Sequence, residues 1–269
     1  MSLLSLESLR VSLAPDRVDV VSLRRGWRRA ESFACQSVAC EVNDPAAPWR
    51  PAIESLSAVL PEAKFRARVA DVALSDHFVR YLLVPWRTDL RDHTEFEALA
   101  RIRFREVYGA AADGWAIRLV PTRFGASYVA CAMDREFLSE LRAVFARHKL
   151  RLASVRPVFI ASYNRWRGSH RAGDCWFAVC GAGHLSLCRI EGGVWRSVRT
   201  EKSSVDLAQS LQFAVEREAM GLGVDPEGST LHVFAPELPR LAAGSLGGMK
   251  VSIYEPLPGV EPRFAMALV

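Results

Sequence analysis

The chain has 269 residues, half of them hydrophobic and 24% charged, with a net charge of +5 and an isoelectric point near 9.0. That length fits two average domains or one large one, and the composition is that of a packed globular protein rather than a disordered one. The apolar runs are short (Tyr81 to Trp86 is bracketed by Arg80 and Arg87), far below the roughly 20 residues of a membrane helix.

Met1 to Leu13 has no basic region ahead of its apolar residues and carries Glu7 within them, which argues against a signal peptide and for an intracellular protein. Only Lys64, Lys149, Lys202 and Lys250 are lysines; the other basic residues are scattered arginines, with the densest group, Arg24, Arg25, Arg28 and Arg29, around Trp27. That scatter reads as solvated surface and predicts no nucleic-acid partner. Cys35, Cys40, Cys131, Cys175, Cys180 and Cys188 form no C-x-x-C pair, so they are expected to be buried free thiols, with no metal site.

In chain order, Leu6 to Leu13 alternates as a strand, Ala14-Pro15-Asp16 is a turn, and Arg17 to Leu23 and Arg28 to Ala39 complete a three-stranded meander. Pro51 suits the first turn of a helix carrying Ile53, Leu56 and Leu60, which Pro61 stops. Phe65 to Ala73 and Phe78 to Val84 are strands joined at Ser75-Asp76-His77. Asp92 and Glu95 signal a helix over Thr94 to Tyr108 that Gly109 ends. Trp115 to Pro121 and Ser127 to Met133 are strands about a turn at Phe124-Gly125. Asp134 caps an amphipathic helix through Phe137, Leu138, Leu141, Val144 and Phe145. A strand from Leu150 to Val158 runs on into a helix to Trp166.

Gly168 to Gly173 is the internal boundary, and beyond it the pattern restarts. Cys175 to Cys180, His184 to Ile190 and Val194 to Thr200 form a second meander, followed by a helix from Val205 to Met220 that Gly221 is expected to cap. A strand from Thr230 to Phe234, a short helix from Leu238 to Ala243, a strand from Lys250 to Tyr254 and an apolar segment from Pro262 to Leu268 complete the chain. Each half thus opens with a meander and a helix, and the first half holds an extra helix-strand-strand-helix module.

This layout resembles the actin-like ATPase fold, and more narrowly the pilus-assembly protein PilM and the cytoplasmic part of the secretion-platform protein GspL. The resemblance is carried by Leu74 to Arg80 running into Leu83-Val84-Pro85-Trp86, which looks like the strand pair leading out of the first subdomain. It is carried also by the module from 88 to 150, similar to an inserted 1C subdomain, and by Arg263 to Leu268, similar to the small apolar C-terminal helix of PilM. It implies an α/β, actin-like (ribonuclease H-like) duplicated fold: a first subdomain over 1–87 and 151–168, the inserted 1C-type subdomain over 88–150, and a second subdomain over 169–269.

In that superfamily two Gly-bearing hairpins cradle phosphates, an acid in each holds the metal-water shell, and a later Gly pair touches adenosine. This sequence departs at all three places. Pro15 removes an N–H donor from the first hairpin, which has no Gly and sets Asp16 off the strand end. Cys180 stands where the second hairpin's acid belongs, although Gly181-Ala182-Gly183 keeps the residues of an anion nest. Ala235-Pro236 replaces the adenosine Gly pair. The expectation is no cofactor, with ATP binding at Gly181, Ala182 and Gly183 as the alternative, and no enzyme.

Ser75-Asp76-His77 holds the residue types of a hydrolase triad, but adjacent residues cannot form that relay, so a turn is expected. His184 is expected at a surface or strand end, and Glu216, Arg217 and Glu218 on a solvated helix face. PilM-like proteins accept the cytoplasmic N-terminus of a membrane partner in a groove between the first and inserted subdomains. On this chain the resemblance places that groove at Arg80, Trp86 and Phe96, among Phe78, Tyr81, Phe104 and Tyr108. It implies a cytoplasmic scaffold, peripheral to the inner membrane, of a type IV pilus or type II secretion platform. Its partners would be a single-pass platform protein and a motor ATPase, with room for a homodimer.

Overall fold

The computed structural model describes residues 7–25, 31–41, 47–61, 67–120, 123–168, 173–181, 183–204, 206–237 and 244–269. The elements are β1 (Glu7–Leu13), β2 (Arg17–Arg25), β3 (Glu31–Ala39), α1 (Arg50–Val59), β4 (Val69–Leu74), β5 (Val79–Val84), α2 (His93–Tyr108), β6 (Trp115–Val120), β7 (Tyr128–Asp134), α3 (Arg135–Arg147), β8 (Arg151–Pro157) and α4 (Val158–Trp166) in the first part of the chain. They continue as β9 (Cys175–Gly181), β10 (His184–Glu191), β11 (Val194–Lys202), α5 (Leu207–Leu222), β12 (Thr230–Phe234), β13 (Ser245–Leu246) and β14 (Met249–Ile253), with short 3-10 helices at Asp76–Phe78, Gly109–Gly114 and Pro262–Leu268. Two compact units result: Met1–Phe78 with Asp134–Ala161 and Leu257–Val269, and Val79–Met133 with Ser162–Pro256.

The first unit is built on one sheet of order β3-β2-β1-β4-β8. The meander is antiparallel, and β4 and β8 add in parallel. Alternation buries Leu9, Val11 and Leu13, and the Ala14 N–H closes the first hairpin on the Arg17 carbonyl at 3.0 Å. Asp134 accepts from the Glu136 and Phe137 N–H groups at 2.7 and 3.4 Å, which starts α3 as the sequence predicts. Phe137, fully buried, stacks on Trp49 at 5.4 Å and meets Phe78 edge-on at 5.0 Å, locking α3 against α1. The Pro262–Leu268 segment covers β1, β2 and β4, with Phe264, Ala267 and Leu268 packed on Val21; it is a short apolar helix, of 3-10 type.

The second unit repeats the plan in its six-stranded sheet, β11-β10-β9-β12-β14-β13. Again the first three strands form an antiparallel meander; β12 adds in parallel to β9 and β14 in parallel to β12. α5 starts at Asp206, whose side chain accepts from the Gln209 N–H at 3.0 Å. It ends at Gly223, not Gly221: the helix runs on to Leu222, and only Gly223 takes the left-handed conformation (φ +67°) that turns the chain out. A separate sheet of order β5-β7-β6 packs on α2 through Val84, Phe96, Ala100, Phe104, Ile117, Leu119 and Ala130. α2 is capped by Asp92, which accepts from the Glu95 N–H at 3.0 Å, while Glu95 reaches back to the Arg91 N–H at 2.5 Å.

Other expectations change in detail. β4 and β5 follow each other in sequence yet belong to different sheets, so they are not a hydrogen-bonded pair. Glu218 is buried, not solvated, because it forms an ion pair with Arg199 of β11; Arg217 pairs with Glu201. Cys175, Cys180 and Cys188 are buried free thiols, whereas Cys35 is exposed on β3, the outer strand of its sheet, and Cys40 and Cys131 are half-buried. The arginine-rich turn around Trp27, the helix expected over Leu238–Ala243 and the hairpin residue Ala182 lie outside the described residues.

Candidate functional site

In the first hairpin Asp16 is exposed beyond the end of β1, and the acid nearest the strands, Asp19, is buried and held by the Ser37 hydroxyl (2.6 Å) and Arg17 (3.1 Å). That carboxylate is committed to the sheet.

In the second hairpin, Gly181 pairs with His184, which leaves a two-residue loop. Gly183 has φ +68° and needs to be glycine for that reason. Gly181 has ordinary φ, and a side chain there would meet nothing within 4 Å, so backbone geometry does not demand it. The Gly183 carbonyl accepts from the Ser203 N–H at 3.1 Å, tying the loop to the end of β11.

Cys180 is fully buried among Trp176, Ala178, Leu185, Leu187, Leu207 and Leu211. Burial pushes its thiol well up from the ordinary value, so it is neutral at any physiological pH. His184 does stand at a strand end, but it is buried, with Nε2 at 3.4 Å from the Ser186 hydroxyl, which in turn lies 3.3 Å from Thr200 Oγ1. After β12, Ala235 packs on the same core as Cys180. Among the described residues no group of three or more His, Cys, Asp or Glu side chains could hold a metal ion.

Ser75-Asp76-His77 is a turn. The Ser75 hydroxyl meets His77 Nδ1 at 2.9 Å, but Asp76 points away and, buried, accepts from the Phe159 N–H at 3.1 and 3.4 Å at the start of α4. The three side chains form no relay.

The expected partner-binding residues are brought together only in part. Trp86 stacks on Phe96 at 5.2 Å, and both contact Tyr128, at 6.0 and 4.6 Å. Arg80 lies exposed on β5 near Tyr108, whose hydroxyl it acts on electrostatically while burial raises that phenol's pKa. Phe96 and Tyr108 are separated by about 18 Å of helix rise, so Arg80 sits at the far end of α2 from the Trp86 cluster. Phe104, Tyr108 and Trp115 form their own ring cluster, Phe78 packs in the first unit, and Tyr81 is buried. Sequence reasoning missed Phe124, which meets Trp86 at 5.0 Å while remaining 89% exposed. The available signal was a bulky ring beside Gly125 in a turn.

No protein-family model matches the sequence, and no curated protein matches it. Solved structures do match. They include a "PilM-PilN type IV pilus biogenesis complex" chain at TM-score 0.67 and 18% identity, covering 98% of this chain and 97% of that one. A Bacteroides thetaiotaomicron protein with an actin-like ATPase fold and unknown function matches at 0.63 and 8%, covering 98% and 96%. The chain therefore has the actin-like fold. The cytoplasmic domain of EpsL, an inner-membrane component of the Vibrio cholerae type II secretion system, matches at 0.59 and 13% over 97% and 94%, so the narrower resemblance to PilM and the secretion-platform domain holds at the level of fold. Among the described residues no helix is long and apolar enough to cross a membrane.

Proposed function

We propose that this chain is a non-catalytic, actin-like scaffold of a type IV pilus or type II secretion platform that binds the cytoplasmic N-terminal segment of a membrane partner. The observation that carries the reading is the fold match along nearly the whole chain to a protein solved in a pilus biogenesis complex. The buried, neutral Cys180 supports the absence of catalysis: no carboxylate is available there to order a metal-water shell. The three-part division over 1–87 with 151–168, 88–150 and 169–269 belongs to the same proposal. So do a cytoplasmic location beside the inner membrane, a motor ATPase as second partner, and homodimer formation.

The partner segment is placed along α2 and the β5-β7-β6 sheet, where Trp86 and Phe96 offer apolar stacking and Arg80 a charge. The test is titration of the full chain with the cytoplasmic N-terminal peptide of a single-span membrane protein encoded beside it. A dissociation constant on the order of 10 µM is expected, about −7 kcal/mol, weakened by Arg80→Ala and Trp86→Ala. Absence of binding, or binding indifferent to both substitutions, refutes it. The glycines at 181 and 183 favour a second reading, nucleotide binding. Calorimetry with Mg-ATP decides it: a clear isotherm lost in Gly183→Val would establish that reading against ours.

A further inference from the structure

Trp86, the β6–β7 turn and the start of β11, all within the second unit, enclose an open cleft of about 540 Å3. That size lies within the ~300–1,000 Å3 range of ligand sites. Two chemistries line it. The first is aromatic: Phe124 leans on Trp86 at 5.0 Å, and Trp195, 3% exposed, is held edge-on by Tyr163 at 4.9 Å. Phe124 is 89% exposed, the highest value among the exposed large hydrophobic side chains of the described residues. Whatever covers that ring gains its burial.

The second chemistry is cationic. Arg123 and Arg196 line the cleft, and no carboxylate does. Arg196 uses Nε on Glu191 at 3.1 Å, with its side chain 57% exposed. The Arg123 guanidinium has no carboxylate partner among the described residues. The backbone adds nothing of its own: β11 is the outer strand of its sheet, but β5 lies against it.

From this geometry we infer that the cleft receives an extended acidic peptide. One large apolar side chain covers Phe124 between Trp86 and Trp195. Flanking Asp or Glu carboxylates meet Arg123 and Arg196. Nucleic acid and lipid headgroups call for a broad basic surface, whereas here two guanidiniums face a single aromatic slot. The inference deepens the partner-binding proposal and rests on it only in taking a protein segment as the occupant.

The test is selection of a displayed library of random hexapeptides on the full chain, with the platform peptide titrated separately. Expected are binders with Asp or Glu flanking one Phe, Trp or Leu, weakened by added salt. Arg123→Glu and Phe124→Ala, both exposed and checked for an unchanged thermal transition, should each weaken the best binder about tenfold or more, the scale of one charge-assisted hydrogen bond. Four results would overturn the inference: no enrichment, binders without acidic residues, binders indifferent to Arg123→Glu, or tighter binding of duplex DNA or phosphatidylglycerol vesicles than of any peptide. The two proposals separate cleanly. Failure of the platform peptide with retained acid-selective binding sinks the platform role alone, and the reverse pattern sinks the acidic cleft alone.

Discussion

Cys180→Asp would place a carboxylate where the resemblance to actin-like proteins leads one to expect it, and we expect the change to destabilise the protein without creating nucleotide binding. The site is fully buried against Leu185, Leu187, Leu207 and Leu211. A neutral carboxyl there, with no polar partner, costs about 1–3 kcal/mol. Ionisation costs more. Burial raises the folded-state pKa of the new aspartate above its unfolded value of about 3.9, so the penalty grows as pH rises from that value and levels off above the folded pKa. At about 1.4 kcal/mol per unit, a folded pKa at or above 8 would add roughly 1.5 kcal/mol at pH 5 and roughly 5.5 kcal/mol at pH 8. The wild-type thiol, itself pushed up by burial, stays neutral across that window and contributes no slope. Urea unfolding followed by tryptophan fluorescence at pH 5 and pH 8 measures the difference, and calorimetry with Mg-ATP tests the function. A variant as stable as wild type at both pH values that binds Mg-ATP would refute the reasoning, because it would show that position 180 opens onto a nucleotide cleft.

Phe137→Ala should cost about 3–5 kcal/mol, since it empties a fully buried ring site between Trp49 and Phe78; a loss below about 1 kcal/mol in urea unfolding would mean α3 does not depend on that stack. Asp76→Ala should cost about 1.5–3 kcal/mol by leaving the Phe159 N–H buried without its acceptor, with Asp76→Asn milder; equal melting temperatures for the three proteins would show that the cap contributes nothing.

Local signals made most of the fold legible. The two meanders were readable from alternation, and the helix starts from Asp92 and Asp134, whose side chains do accept the expected N–H groups. What the sequence could not show depends on distant partners. Ser75-Asp76-His77 looks like a hairpin turn because nothing nearby reveals that Asp76 caps α4 from 83 residues away. Glu218 sits in a charged run, and only the packing of α5 beside β11 makes it a buried ion pair with Arg199. Gly221 and Gly223 are equivalent in a one-dimensional pattern, and helix length decides between them. At the candidate site, Trp86 and Phe96 were recognisable as a pair of rings. The cleft beside them needs Arg123, Phe124 and Trp195 from two further segments, which no spacing rule connects.

The Pro262–Leu268 segment bears on the order of synthesis. The first unit collects residues up to Phe78, then Asp134–Ala161, and receives its covering turn only from Leu257 onward. As the chain leaves the ribosome, β1 to β4 must wait for β8 to extend their sheet, and Val21 remains uncovered until the 260s have been made. Domains that fold as they emerge do so as units, and this one is not continuous. The unit that begins first therefore finishes last. In the interval its sheet presents Val21 and its neighbours to any chaperone, or to any other nascent chain, that meets it.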